Sequence, residues 1–333
     1  MGQTSFLAAL CLLLSSVEYA IPKPLPFLRL GLANLPIILS LRKLSVRNVL
    51  LLTLLKIVGQ AIISGTLFSY VFLLSASGSI ASVCIMLLLT RVCKNAVSDF
   101  GVTLAGSLAN NVSQLLCARL LLGKTSVVLI APLLFTVGFV TGVALGTFVL
   151  LFENRSKWYA QLDVLYKNAL VQKPVECKKN KAALVWFFFS ISLAFVFLFL
   201  RNVLVEWICV FVFFIAASIK RKHVVSILPS MFVTITLVAL ALFTPSGKVL
   251  YTLGNFRVTA GSLLNGLQRS GLLVGMVFLS QCAISPQLQL PGKFGSLVQE
   301  VLQYAEKLTQ SKPHFKKQNV FVALDTWLDS ICK

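Results

Sequence analysis

Val185–Leu200, VWFFFSISLAFVFLFL, decides the fold class. A strand of a transmembrane barrel alternates apolar and polar residues, and an amphipathic surface helix keeps a polar stripe. This run does neither, being apolar on every face, so it reads as a helix crossing lipid. Outward from it, comparable runs recur at intervals of roughly 20 to 30 residues, each long enough to cross about 30 Å of hydrocarbon. Hydrophobic residues make up 57% of the 333 positions and charged residues 12%, and the mean hydropathy is +0.89, so water is not the main solvent of this chain.

The expected fold is all-α, a polytopic helical membrane protein of about ten transmembrane helices. Six spans are expected in the first half: Ser5–Tyr19, Leu28–Leu41, Asn48–Ser64, Phe68–Leu89, Phe100–Leu122 and Val127–Phe152. The second is short enough to be tilted, broken or re-entrant. Met1–Ser5 carries no basic side chain and no small-residue cleavage site follows, so the first run reads as a membrane helix rather than a signal peptide. After a polar linker over residues 153–181 come Ala182–Leu200, Val203–Ile219, Val225–Phe243 and a weaker span near Val258–Ile284, then an amphipathic tail. This divides the chain into a six-helix module (1–152), a cytoplasmic linker (153–181) and a second membrane module with its tail (182–333).

The net charge of +20 does not point to nucleic acid, because the basic residues form short clusters between apolar runs. They act as topology signals. With the N-terminus inside, about 21 of the 30 basic residues fall on the inner side, including Arg42, Lys43, Arg47, Arg91, Lys94 and the Lys220-Arg221-Lys222 cluster. Lys23, Arg29, Arg119, Lys124, Arg201, Lys248 and Arg257 fall outside. A multi-pass protein of a bacterial cytoplasmic membrane with both termini inside is expected.

Ionisable and amide side chains at membrane depth are costly and mark candidate sites. In Gly101–Gln114, GVTLAGSLANNVSQ, helical spacing puts Ser107, Asn110, Asn111 and Gln114 along one face. Such a stripe either lines a hydrated solute pocket or joins helices by close packing and interhelical hydrogen bonds. Lys56 and Gln60 stand one turn apart; the lysine either meets an anionic solute, pairs with Glu18 or snorkels to the interface. The candidate substrate-binding residues are Asn34, Lys56, Gln60, Ser69, Asn110, Asn111 and Gln114, with Phe68 as an apolar wall.

No phosphate-binding glycine loop with Lys-Ser/Thr is present, no adjacent aspartates suited to magnesium diphosphate occur, and His223 and His314 sit beside lysines. The eight cysteines contain no C-x-x-C pair and read as apolar fillers. No enzyme, metal or cofactor is expected.

Leu30–Pro36 (LGLANLP), Gly65–Tyr70 (GTLFSY), Gly101–Gln114 and Gly138–Gly146 (GFVTGVALG) resemble, in order, motifs of the Gx transporter family, also labelled heptaprenyl diphosphate synthase component I. That likeness covers about residues 7–150 and implies a six-helix plan similar to the substrate-binding S-components of energy-coupling factor vitamin transporters. Phe256–Gly271, Leu279–Gln281 and Leu290–Ser296 more weakly resemble the T-component of those transporters. The short Ala-Arg-Ala or Ala-Arg-Gly motifs through which T-components engage ATPases are absent. The resemblances imply a fused substrate-binding and scaffold subunit that takes up a vitamin-like or precursor solute, with ATPase subunits supplied by other chains. The alternative is a non-catalytic membrane subunit that anchors or regulates a partner enzyme, for example in prenyl diphosphate synthesis.

Overall fold

The computed structural model describes residues 2–20, 30–64, 66–93, 96–122, 124–156, 158–159, 181–200, 202–221, 227–243, 246–253, 256–283 and 292–310. It is a helical protein. The first half holds α1 (Gly2–Ala20), a 3-10 turn (Leu32–Asn34) leading into the short α2 (Leu35–Ser40), α3 (Val46–Ser64), α4 (Tyr70–Leu88), α5 (Asp99–Leu122) and α6 (Lys124–Arg155). The second half holds α7 (Lys181–Leu198), α8 (Val203–Arg221), α9 (Leu228–Leu242), α10 (Ala260–Ala283) and α11 (Gly292–Gln310).

Among the described residues, four helical stretches are long and apolar enough to cross a membrane: Val46–Ser64, Tyr70–Cys93, Ala131–Arg155 and Ala260–Ala283. Shorter apolar stretches lie at Gln3–Glu18, Val185–Leu198, Val203–Ile219 and Ser230–Leu242. Their outer surfaces belong in lipid. Phe188, Phe189, Phe195, Leu204, Ile208 and Phe211 are all exposed along α7 and α8, as is Phe199 just beyond α7, an apolar area that soluble monomers rarely present. Several hydroxyls within these helices turn back onto their own backbone, as Thr53 Oγ1 donates to the Val49 carbonyl (2.8 Å) and Ser64 Oγ to the Gln60 carbonyl (2.7 Å), which satisfies them without a partner from another helix.

The second expected span is much shorter than Leu28–Leu41. Gly31, at φ +81°, turns the chain in a left-handed conformation that other residues adopt at a cost. Pro36 then starts α2, where its missing N–H has no helical partner to lose. Between α9 and α10 the chain forms an antiparallel hairpin, β1 (Val249–Leu253) with β2 (Phe256–Thr259), which the all-helical expectation lacked. Thr259 caps α10: its Oγ1 accepts from the Ser262 N–H at 3.4 Å and from Ser246 N–H at 3.0 Å.

Three apolar clusters hold the helices together. One joins α1 through α6, with Val83, Met86 and Leu87 from α4 and Val102 from α5, and includes α11, whose Val298, Val301, Ala305 and Leu308 are buried. Phe6 packs edge-on to Tyr304 (centroids 6.3 Å) and against Trp158 (6.5 Å). A second joins α4, α5 and α6 with Leu237 and Leu273 of α9 and α10. The third lies within the second half around Phe197, Phe213, Phe278 and Leu279.

Residues 42–44, 91, 97–99, 153 and 159 meet at one end of the bundle. Arg42 Nε donates to Asp99 Oδ1 at 2.7 Å, Arg91 Nη2 to the Leu44 carbonyl at 2.9 Å, and Lys43 Nζ to the Tyr159 carbonyl while lying 4.2 Å from that ring's centroid. The hydrogen bond to Asp99 raises the Arg42 guanidinium above its ordinary value. Burial, then the nearby Glu153, push the Tyr159 phenol up, so it stays a neutral donor to Glu153 Oε1 at 2.9 Å. The Arg42–Asp99 pair is 38% and 22% exposed. Asp99→Asn should therefore lower thermal stability by only about 0.5 kcal/mol, the usual worth of a solvated pair, and the loss should vanish in high salt; unfolding curves at two salt concentrations check this.

Candidate functional site

α5 is a wedge between α4 and α6, and its amides make the contact. Asn111 Nδ2 donates to the Leu134 carbonyl of α6 at 2.7 Å, and Asn111 is buried. It lies directly over Gly138, where any Cβ would collide with its amide nitrogen. On the other side Gln114 Nε2 donates to Asn110 Oδ1 at 3.2 Å, and both side chains press on Gly78 of α4. Asn110 Nδ2 in turn lies 3.4 Å from Asn111 Oδ1. The helical stripe expected from the sequence is present, and it splits its residues between two neighbours.

The second polar group sits on the 3-10 turn before α2, on α3 and on α4. The Lys56 ammonium, 3% exposed, donates to Asn34 Oδ1 and to Ser79 Oγ at 3.2 Å. Glu18 of α1 is also buried, and its Oε1 accepts from the Leu30 N–H at 2.8 Å, tying α1 to the chain just before Gly31. Gln60, one turn from Lys56, is buried with its Oε1 unpartnered, and so is Gln114 Oε1. An unmet acceptor in a dry interior costs about 1–3 kcal/mol.

The two groups meet at a cleft. It is lined by Gly31 and Asn34 from the 3-10 turn, Ser82 and Met86 of α4, Thr103, Ser107, Asn110 and Asn111 of α5, and Gly138, Thr141 and Leu145 of α6, together with Leu30 and Ile38. Counted out to its mouth it measures about 360 Å³, and its enclosed depth admits about one water molecule. Lys56 stands behind Asn34, so the cation forms the second layer of the wall. Asn34→Leu should remove an acceptor from a buried ammonium at a cost of about 2 kcal/mol, read as a fall in the thermal midpoint that Asn34→Asp recovers.

The cleft thus gathers Asn34, Asn110 and Asn111, with Lys56 one bond behind. Gln60 and Gln114 are buried close to these groups without lining it. Phe68 and Ser69 are not brought to it. Phe68 turns to the second half, its ring 5.8 Å from that of Phe187 and its N–H donating to Ser280 Oγ at 3.3 Å. Ser69 closes the turn before α4, its Oγ donating to the Thr66 carbonyl at 2.8 Å. Ser82, Thr103 and Thr141 line the cleft without having been singled out from the sequence; isolated hydroxyls on apolar helices carry little signal, as Thr103 shows by donating to the Asp99 carbonyl at 2.7 Å like any helical threonine.

Fold and site define a multi-pass helical membrane protein whose first half forms a polar cleft between the 3-10 turn, α4, α5 and α6. Residues 7–152, the part that forms this cleft, match the family described as heptaprenyl diphosphate synthase component I. Residues 185–285 match a separate description, a domain of unknown function (DUF8519), which names no transporter component. No curated protein and no solved structure matches the chain.

Proposed function

We propose that the first half binds a small polar solute in the cleft and that the chain serves its uptake across a bacterial cytoplasmic membrane without catalysing a reaction. The observation that carries this reading is the convergence of Asn34, Asn110 and Asn111 from two separate parts of the chain on one cleft, with the Lys56 cation behind it. Amides at this depth are expensive unless they serve one another or a ligand, and the orphaned Gln60 and Gln114 oxygens beside them have acceptor capacity to spare. One cation among several amides suits a solute with an anionic group, such as a vitamin-like molecule or a diphosphate-bearing precursor. The enclosed depth is far below the several hundred Å³ that such a solute fills, so α4, α5 and α6 must part to admit it. Cytoplasmic ATPase subunits from other chains would supply the energy. The end of the bundle that carries Arg42, Lys43 and Arg91 would be the inner one.

Asn110→Ala with Gln114→Ala should abolish solute binding while the protein inserts and unfolds at close to the wild-type temperature, because both side chains bond mainly to each other. Binding to purified protein, measured against a metabolite extract by mass spectrometry, checks it; equal loss of folding would count against the reading.

A second reading is favoured by the tight seating of Asn111 on Gly138 and of Asn110 on Gly78. There the amides are helix joints, and the chain is a non-catalytic subunit of a membrane-associated complex, as the name heptaprenyl diphosphate synthase component I suggests. In that case a prenyl-synthesising enzyme, and no small molecule, would copurify.

A further inference from the structure

The second half contains a buried acid that the cleft does not use. Glu206 of α8 is fully buried, and neither of its carboxyl oxygens closes a well-formed hydrogen bond, although the Leu272 backbone N–H of α10 faces the group. It lies in the seam with α10, where Gly271 leaves room for it: a Cβ on Gly271 would stand 2.8 Å from Glu206 Oε1 and 3.1 Å from Trp207 Nε1. That indole nitrogen is already committed, donating to the Leu267 carbonyl at 3.2 Å. Gly271 is roughly 17 Å along α10 from Ala260 at 1.5 Å per residue, near the middle of that helix, and faces Glu206 in the first turn of α8.

No charged group among the described residues faces the carboxyl. On α10 the nearest is Arg269, exposed and about 200° around the helix from Gly271. On α8 the nearest ionisable side chain is the partly buried Cys209, one turn away. α7 has only Lys181, at its far end, and α9 has none. An ionised carboxylate without a counter-charge among its described neighbours is strongly disfavoured in such a place, and a leucine would fill it at no electrostatic cost, so an acid placed there points to a use for its proton.

We propose that Glu206 is a proton-binding site: the closed seam between α8 and α10 holds it as the neutral acid, and it gives up the proton only when that seam opens to water. The two events are linked because ionisation favours the hydrated, open seam and protonation the closed one. Proton movement and helix movement in the second half are thereby tied together, whatever the first half binds.

The test uses the full chain in lipid nanodiscs and dicyclohexylcarbodiimide, an apolar reagent for protonated carboxyls. The Glu206 proton passes to a carbodiimide nitrogen, the carboxylate oxygen adds to the central carbon, and the adduct rearranges to a stable N-acylurea with nothing lost. Peptide mass spectrometry should find Glu206 labelled, with labelling falling roughly tenfold or more between about pH 6 and about pH 9 as the neutral form is depleted. A water-soluble carbodiimide should label it only weakly. Over the same range maleimide modification of Cys209 should rise more steeply in the wild type than in Glu206→Gln, which holds the seam closed at every pH. Absent or pH-independent labelling of Glu206 would overturn the proton site, and the wild-type series decides this even if the variant is not recovered. Cys209 modification with the same pH profile in both proteins would overturn the link to seam opening.

Discussion

Gly138→Leu is expected to leave little folded protein in the membrane fraction, with any survivors destabilised by about 2–6 kcal/mol. Two costs add. A branched side chain at residue 138 must occupy the place of the Asn111 amide, and overpacking a close helix contact costs about 1–3 kcal/mol. Once displaced, Asn111 loses its bond to the Leu134 carbonyl, leaving a buried donor unmet at a further cost of about 1–3 kcal/mol. Gly138→Ala should fall between, since the end of the Asn111 side chain can shift. Asn111→Ala in the Gly138→Ala background should regain part of the loss, a coupling that thermal unfolding in detergent measures as a double-mutant cycle. Additive losses would mean that the two positions do not share the contact.

Phe6→Ala should release α11. The Phe6 ring, 5% exposed, lies between Tyr304 of α11 and Trp158, and removing a buried phenylalanine costs about 3–5 kcal/mol. α11 is strongly amphipathic, with Val298, Val301, Ala305 and Leu308 as its buried face, and α1 is the main surface that face meets. Losing that support should make the 292–310 segment sensitive to added protease while α3 to α6 stay protected. Limited proteolysis of sealed vesicles and of detergent-solubilised protein shows whether α11 is cut selectively. Uniform cleavage along the chain would instead place Phe6 in the core of the whole bundle.

The membrane class and most helix positions were legible because uninterrupted apolar runs have no other stable use. α5 was legible for the opposite reason: Asn110, Asn111 and Gln114 at membrane depth are rare enough to mark a site, and helical geometry fixes their shared face. What the stripe touches was not legible, since Gly138 and Gly78 accept it through what they lack. Phe68 shows the limit on the wall residues: its partner Phe187 is far away in the sequence, and nothing local separates a pocket wall from an interface between halves. The hairpin's sequence signal is the Gly254-Asn255 pair between β-prone residues, which is weaker than the long apolar runs that mark the helices. α11 showed its apolar face in the sequence, but amphipathicity alone does not name the surface that covers it.

The central claim is that Asn34, Asn110 and Asn111 enclose a solute. Mass spectrometry of the full-length protein, purified from its native membrane in mild detergent, tests it most directly. The account predicts one polar metabolite at near-stoichiometric amount in the wild type and its loss from the Asn110→Ala/Gln114→Ala protein at unchanged yield. A wild-type protein that carries no small molecule and brings down a biosynthetic enzyme would contradict it.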